Sequence, residues 1–184
     1  MIINIGRELA AGGRQTGRLL AERLGYRYFD KEIVIEAARR SGISSEAFER
    51  ADEHCNKFLF GLLGYDERLF ALQSEVIREL AGAGNCIFVG RCADYILRDR
   101  ECLNVFLRAG FAERVERLVA GEKIDEEHAK RLIAETDEKR ADYYNFYTGK
   151  TWGDSRSYDL CINTSKTGIE GAVEIIALQI SKLI

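Results

Sequence analysis

The sequence predicts an α/β domain built on a mostly parallel sheet. Short β-prone runs recur at 2–5, 26–29, 86–89, 103–107 and 159–163, and helical periodicity fills the intervals between them. A glycine-rich segment joins the first strand to the first helix. Strands alternating with helices favour parallel pairing with right-handed crossovers, and 184 residues suit a single domain, 1–184, with one core.

Each element has its own signal. After the strand at 2–5, Leu19, Leu20, Arg23 and Leu24 mark one face of the first helix, and Ile33, Ile35, Ala37 and Ala38 extend a second. Residues 41–65 read as helix and loop inserted between the second and third strands, with Ser44 followed by Glu46 and Glu49 as a helix start. Leu69, Leu72, Val76, Ile77 and Leu80 recur at i, i+3 and i+4 spacing in a further helix. Residues 112–147 read as two charged helices broken near Gly121, with Asp125 as an N-cap. A loop bearing Trp152 precedes the last strand, and a final helix at 168–183 has Ile169, Val173, Ile176 and Ile180 on one face.

Composition excludes several classes. Hydrophobic residues at 46% and charged residues at 31% are globular proportions, so disorder is not expected. The apolar start, 1–5, lacks the features of a signal peptide, and no run approaches the ~18 apolar residues that would span a bilayer. A cytoplasmic protein that does not associate with membranes is the expectation. Cys55, Cys86, Cys92, Cys102 and Cys161 show no C-x-x-C spacing, and only His54 and His128 could join them, so no metal site is expected. Cys86, Cys102 and Cys161 lie in or beside apolar runs and read as small buried hydrophobes. His54-Cys55 has no orienting partner nearby, which argues against a catalytic pair. The net charge of −3 is spread along the chain without a basic stripe, so duplex nucleic acid is not an expected partner. Any bound anion must be held locally.

Three segments could hold one. In a parallel sheet the turn from Gly6 to Gly17 lies at the carboxyl edge, where backbone N–H groups and a helix N-terminus concentrate positive charge. There Gly12 and Gly13 allow close approach of an anion, Arg14 and Gln15 follow where a P-loop has Lys-Ser/Thr, and the Thr16 hydroxyl could face a phosphate or a metal. The same residues also fit a glycine-rich turn with no ligand. In the second segment, Cys86 to Tyr95, a buried strand ends in Gly90-Arg91, which directs Arg91 toward the same crevice. Arg91 could clamp a second phosphate or a base with Asp94 orienting it, or could form an ordinary ion pair. In the third, Asp137, Arg140 and Tyr143 follow at i, i+3 spacing, with Lys139 beside them. Cations on a helical flap neutralise a migrating phosphoryl group, although a solvated charged helix shows the same pattern.

Together these segments resemble the cytidylate kinase-like family, a branch of the P-loop nucleoside monophosphate kinases. The runs that carry the resemblance are Ala11-Gly12-Gly13-Arg14, Tyr28-Phe29-Asp30-Lys31-Glu32, Val89-Gly90-Arg91-Cys92-Ala93-Asp94 and Asp137-Glu138-Lys139-Arg140 with Tyr143-Tyr144. Trp152-Gly153-Asp154 and Tyr158-Asp159-Leu160 complete them in the family's order. The resemblance implies a three-layer P-loop kinase-like fold around a five-stranded parallel sheet, with a nucleotide-monophosphate-binding insertion at 41–65 and a helical lid at 112–147. It implies ATP and Mg2+ as cofactors and phosphoryl transfer from a nucleoside triphosphate to a small acceptor. Gly12, Gly13 and Arg14 would hold the donor phosphates, Asp30 and Arg91 would face the acceptor, Asp137 and Arg140 match the Asp-x-x-Arg lid pattern, and Lys139 would add a lid cation.

Three features depart from the pattern. The P-loop lysine is absent, Ala10-Ala11 stands where Gly-Ser is common, and the Ser-Gly-x-x-Tyr-Arg run that follows Asp30 in cytidylate kinases is missing. The expected function is therefore a nucleoside monophosphate kinase, with a catalytically weak phosphate-binding module and a kinase of another small metabolite as alternatives. The apolar run Phe58, Leu59, Phe60, Leu62, Leu63 with Phe70 packs either into the domain's own core or against a second subunit in a homodimer.

Overall fold

The computed structural model of the chain describes residues 1–42 and 65–183. The Ser44 helix start, the His54-Cys55 pair, the apolar run at 58–63 and all but the ends of the expected insertion at 41–65 lie outside the described residues.

Five strands form one fully parallel sheet: β1 (Ile2–Arg7), β2 (Arg27–Phe29), β3 (Cys86–Val89), β4 (Cys102–Arg108) and β5 (Leu160–Asn163), in the order β2-β3-β1-β4-β5. The helices are α1 (Gly13–Leu24), α2 (Lys31–Ser41), α3 (Tyr65–Gly82), the short α4 (Ala93–Ile96), α5 (Phe111–Glu122), α6 (Glu126–Thr148) and α7 (Thr164–Leu183), with a 3-10 turn at Ser155–Ser157. Strand alternation divides the interior into two cores. Ile2, Cys86 and Phe88 pack on one side against α2, α3 and α4, while Ile3, Ile5, Ile87, Val89, Leu103, Val105 and Leu107 pack on the other against α1 and α7. The result is a three-layer α/β/α fold. A third, smaller cluster of Val115, Leu118, Ala129 and Ile133 joins α5 to α6 and rests on Leu9 and Ala10 of the first turn.

Local chemistry accounts for the boundaries. Asp125 caps α6, its carboxylate accepting the His128 N–H at 2.8 Å, as its position in the sequence predicts. Gly25 at φ 66° and Gly149 at φ 67° end α1 and α6 in the left-handed conformation that terminates helices. Gly168, at φ 67° and ψ −179°, breaks α7 after its first turn.

Two expectations are corrected. On α2 the inward face is Ile33, Val34, Ala37 and Ala38, and Ile35 is 53% exposed, because residue 35 lies two positions, some 200°, from 33 around the helix. Cys161 is exposed because it lies on β5, an edge strand with a neighbour on one side only, whereas Cys86 is buried and Cys102 partly so.

Candidate active site

The chain passes from β1 out to the sheet edge at β2 and back to β3, then crosses to β4 on the other side of β1. That reversal opens a crevice at the carboxyl ends of the strands, the position where open α/β sheets bind ligands. A cavity of about 360 Å³ lies there. β1 contributes Asn4, Ile5, Gly6 and Arg7; α1 contributes Arg14; the end of β2 contributes Asp30; and the turn after β3 contributes Gly90, Arg91, Cys92 and Asp94. α6 lies across the opening and presents Leu132, Thr136, Lys139, Arg140, Tyr143 and Tyr144, one face at i, i+4, i+7, i+8, i+11 and i+12 spacing.

Charge on this wall is unbalanced. Arg7, Arg14, Arg91, Lys139 and Arg140 line it against only Asp30 and Asp94. Asp30 is held by Arg14, Nε to Oδ2 at 2.6 Å, and lies 3.9 Å from Nη2 of Arg7. Burial, with Arg140, Arg91 and Arg14 close by, brings the Arg7 guanidinium down to about 9 against the single opposing influence of Asp30. Burial also lowers Arg140, with Asp137 and Asp30 opposing and Arg14 and Arg91 reinforcing the shift. Cations packed at this density are costly until an anion neutralises them, so the cavity suits phosphate groups.

The turn after β3 that carries Arg91 is strained. Gly90, Arg91 and Cys92 lie successively at φ 75°, 61° and 53°, a left-handed run that costs roughly 1–2 kcal/mol for each non-glycine residue. Its effect is to turn the chain sharply off β3 and place Arg91 on the cavity wall.

The opposite end is aromatic. Tyr143, Tyr144, Trp152 and Tyr158 line it, and Phe106 packs behind Trp152 and Tyr158 with ring centroids 5.4 and 4.9 Å away. The Tyr144 hydroxyl donates to Asp94 at 2.7 Å. Burial raises Tyr144, Tyr143 and Tyr158, so their hydroxyls stay protonated, and it also raises Asp94 from its ordinary value.

Of the residues singled out in the sequence, Arg14, Asp30, Arg91, Asp94, Lys139 and Arg140 meet on this wall. Asp137 does not reach it. Its carboxylate accepts the Leu9 N–H at 2.8 Å and pairs with Arg114, so it fastens α6 to the first turn. Arg114 in turn donates to the Leu9 carbonyl and approaches Glu8 at 3.4 Å, while Arg117 and Thr164 donate to the carbonyls of Ala10 and Ala11. Gly12 is the left-handed N-cap of α1, Gly13 begins the helix, Gln15 is exposed and Thr16 is fully buried; none of these four lines the cavity. Among the described residues the Thr16 hydroxyl has no hydrogen-bond partner. Arg7, Thr136 and Asn4 were not foreseen. The signal for Arg7 was its place at the end of the first strand beside glycines, but its reach depends on Gly13 and Gly90, which only the fold brings together.

Strand order, layers and the cation-lined crevice define a P-loop kinase-like α/β protein. A shikimate kinase from Bacteroides thetaiotaomicron has the same fold, with a TM-score of 0.61 at 16% identity over 98% of each chain. The chain belongs to the cytidylate kinase-like family, whose profile matches residues 2–166. A cytidylate kinase of Pyrococcus horikoshii is 29% identical, the match spanning all of this chain and 90% of that protein; one of Methanocaldococcus jannaschii is 26% identical over all of this chain and 99% of its own length. The crystal structure of an uncharacterized protein from Eubacterium ventriosum superposes with a TM-score of 0.79 at 29% identity, over 98% of both chains.

Proposed function

We propose that the chain is an ATP-dependent phosphotransferase acting on a small phosphorylated acceptor, a nucleoside monophosphate. The observation that carries this reading is the set of five cations from four separate elements facing one cavity of about 360 Å³ with an aromatic end. The kinase names of its relatives support the same class of chemistry.

In this reading bound ATP supplies the transferable phosphoryl group. Arg91 and Arg14 hold anionic oxygens on the sheet side, and Lys139 and Arg140 approach from α6, so charge that shifts between attacking and leaving oxygens stays neutralised throughout. The tyrosine and tryptophan wall receives the flat face of a base. An acceptor phosphate is already ionised, so positioning rather than proton abstraction is what the protein contributes. Mg2+, the cofactor this reading implies, would add to the charge neutralisation that these cations supply.

A coupled assay pairing ATP or GTP with CMP, dCMP and UMP tests the proposal. Turnover above that of an Arg14→Ala variant is the expected result, and none with any pair would remove it. The absent P-loop lysine favours one second reading, a phosphate-binding module without turnover. It would show as thermal stabilisation by ATP in a protein that transfers nothing.

A further inference from the structure

We propose that Arg7, at the carboxyl end of β1, replaces the missing P-loop lysine as the cation that holds the donor's terminal phosphates. The proposal rests on the phosphotransferase reading above and deepens it.

The argument begins with where α1 starts. Gly12, at φ 84°, is its N-cap and Gly13 its first residue, so Gly12-Gly13 fills the Gly-Lys place of the P-loop pattern. The sequence alone aligns Arg14-Gln15 with Lys-Ser/Thr, and the helix start moves that alignment back by one. The lysine position therefore carries no side chain. Its space is not empty, however: a Cβ built on Gly13 would lie 2.6 Å from Cγ of Arg7 and 2.9 Å from its Cβ. The Arg7 stem thus crosses the mouth of α1 where a lysine stem would begin.

The other end of Arg7 is framed by a second glycine. A methyl group at Gly90 would overlap Nη1, and Nη2 would lie 3.2 Å from it. The guanidinium lies against Gly90 at the end of β3, and its stem passes Gly13, the first residue of α1, where a helix N-terminus adds partial positive charge. Its ion-pair partner, Asp30 at 3.9 Å, is engaged more closely by Arg14 at 2.6 Å. Arg140 donates to the Arg7 carbonyl at 3.3 Å and brings a further positive charge to the same spot. A confined cation, a helix N-terminus and neighbouring arginines make one strongly positive point that a polyphosphate would neutralise. A lysine at 13 and the Arg7 stem as it lies here exclude each other sterically, which fits the absence of the lysine from this chain.

Calorimetric titration of the full chain with ATP, pyrophosphate and CMP tests the assignment. Arg7→Met keeps most of the stem and loses the charge, and it is expected to weaken ATP and pyrophosphate by about tenfold or more while leaving CMP within about threefold. Gly13→Lys alone should lose ATP binding through collision with Arg7. The double variant Arg7→Gly/Gly13→Lys, which removes the Cβ that a side chain at 13 would meet and returns a cation by the alternative route, should recover ATP affinity to within about threefold of the parent. Unchanged ATP affinity in Arg7→Met, an equal loss for CMP, or a double variant no better than Arg7→Gly would each overturn the proposal. Should Arg7→Met not fold, the double variant against Gly13→Lys decides the matter, with rescue expected. A parent protein that binds no triphosphate would instead count against the phosphotransferase reading, so the two failures are distinguishable.

Discussion

A single methyl group at position 90 meets two obstacles. Gly90 lies at φ 75°, and a Cβ there would overlap the Arg7 guanidinium. Gly90→Ala is expected to lose about 1–2 kcal/mol from the left-handed backbone alone, with a further loss as Arg7 is displaced. Urea denaturation reads the sum, and pyrophosphate affinity should fall with it. Asp94 offers a second test. Its carboxyl is raised by burial, while Tyr144 donates to it at 2.7 Å. A carboxyl that holds its proton more tightly when folded favours the fold below its unfolded pKa, and that advantage is lost as pH rises to the folded value. Asp94→Asn keeps an acceptor for Tyr144 and removes the titration. Its melting temperature relative to the parent should climb from pH 4 upward and level off above the folded pKa, and a flat difference across that range would contradict the assignment.

At the scale of elements, the first turn is held by its neighbours more than by itself. Arg114 on α5 touches Leu9, Glu8 and Asp137, and Asp137 on α6 also accepts the Leu9 N–H. Both side chains are largely withdrawn from solvent, at 7% and 18% exposure. Arg114→Ala would leave the carboxylates of Asp137 and Glu8 short of a partner and is expected to cost about 3 kcal/mol in chemical denaturation. Asp137→Asn, which keeps an oxygen for Leu9, should cost less. The sequence presented Asp137 as a lid residue paired along its own helix with Arg140, and that contact exists only at 3.8 Å. The closer partners are the Arg114 guanidinium and a backbone amide 128 residues earlier, which no helical periodicity can reveal. By contrast, the Asp125 cap was legible because its partner lies three residues on.

For the whole molecule, the excess of positive charge at one edge of the sheet predicts linkage between anion binding and stability. At matched ionic strength, pyrophosphate at about a hundredfold excess over its Kd should raise Tm by roughly 5–10 °C in a chain of this size. Chloride should not. An equal response to both would mean that general screening, rather than a bound polyphosphate, relieves the repulsion among Arg7, Arg14, Arg91 and Arg140.

From the sequence by itself came the α/β class, the five strand segments, the parallel arrangement and the glycine-rich turn that joins the first strand to the first helix. These follow from side-chain periodicity and turn chemistry, which act over a few residues. Arg14, Arg91, Asp94, Lys139 and Arg140 were legible too, because strand ends and one helix face converge wherever a parallel sheet reverses its order, while Asp30 stood out only through the family resemblance. Tertiary structure alone decided that Arg7 crosses Gly13 and ends against Gly90, that Asp137 turns to the first turn, and that Tyr144 meets Asp94. Each of those contacts joins segments far apart in the chain. Strand order and packing distance determine them, and neither is written in the local pattern.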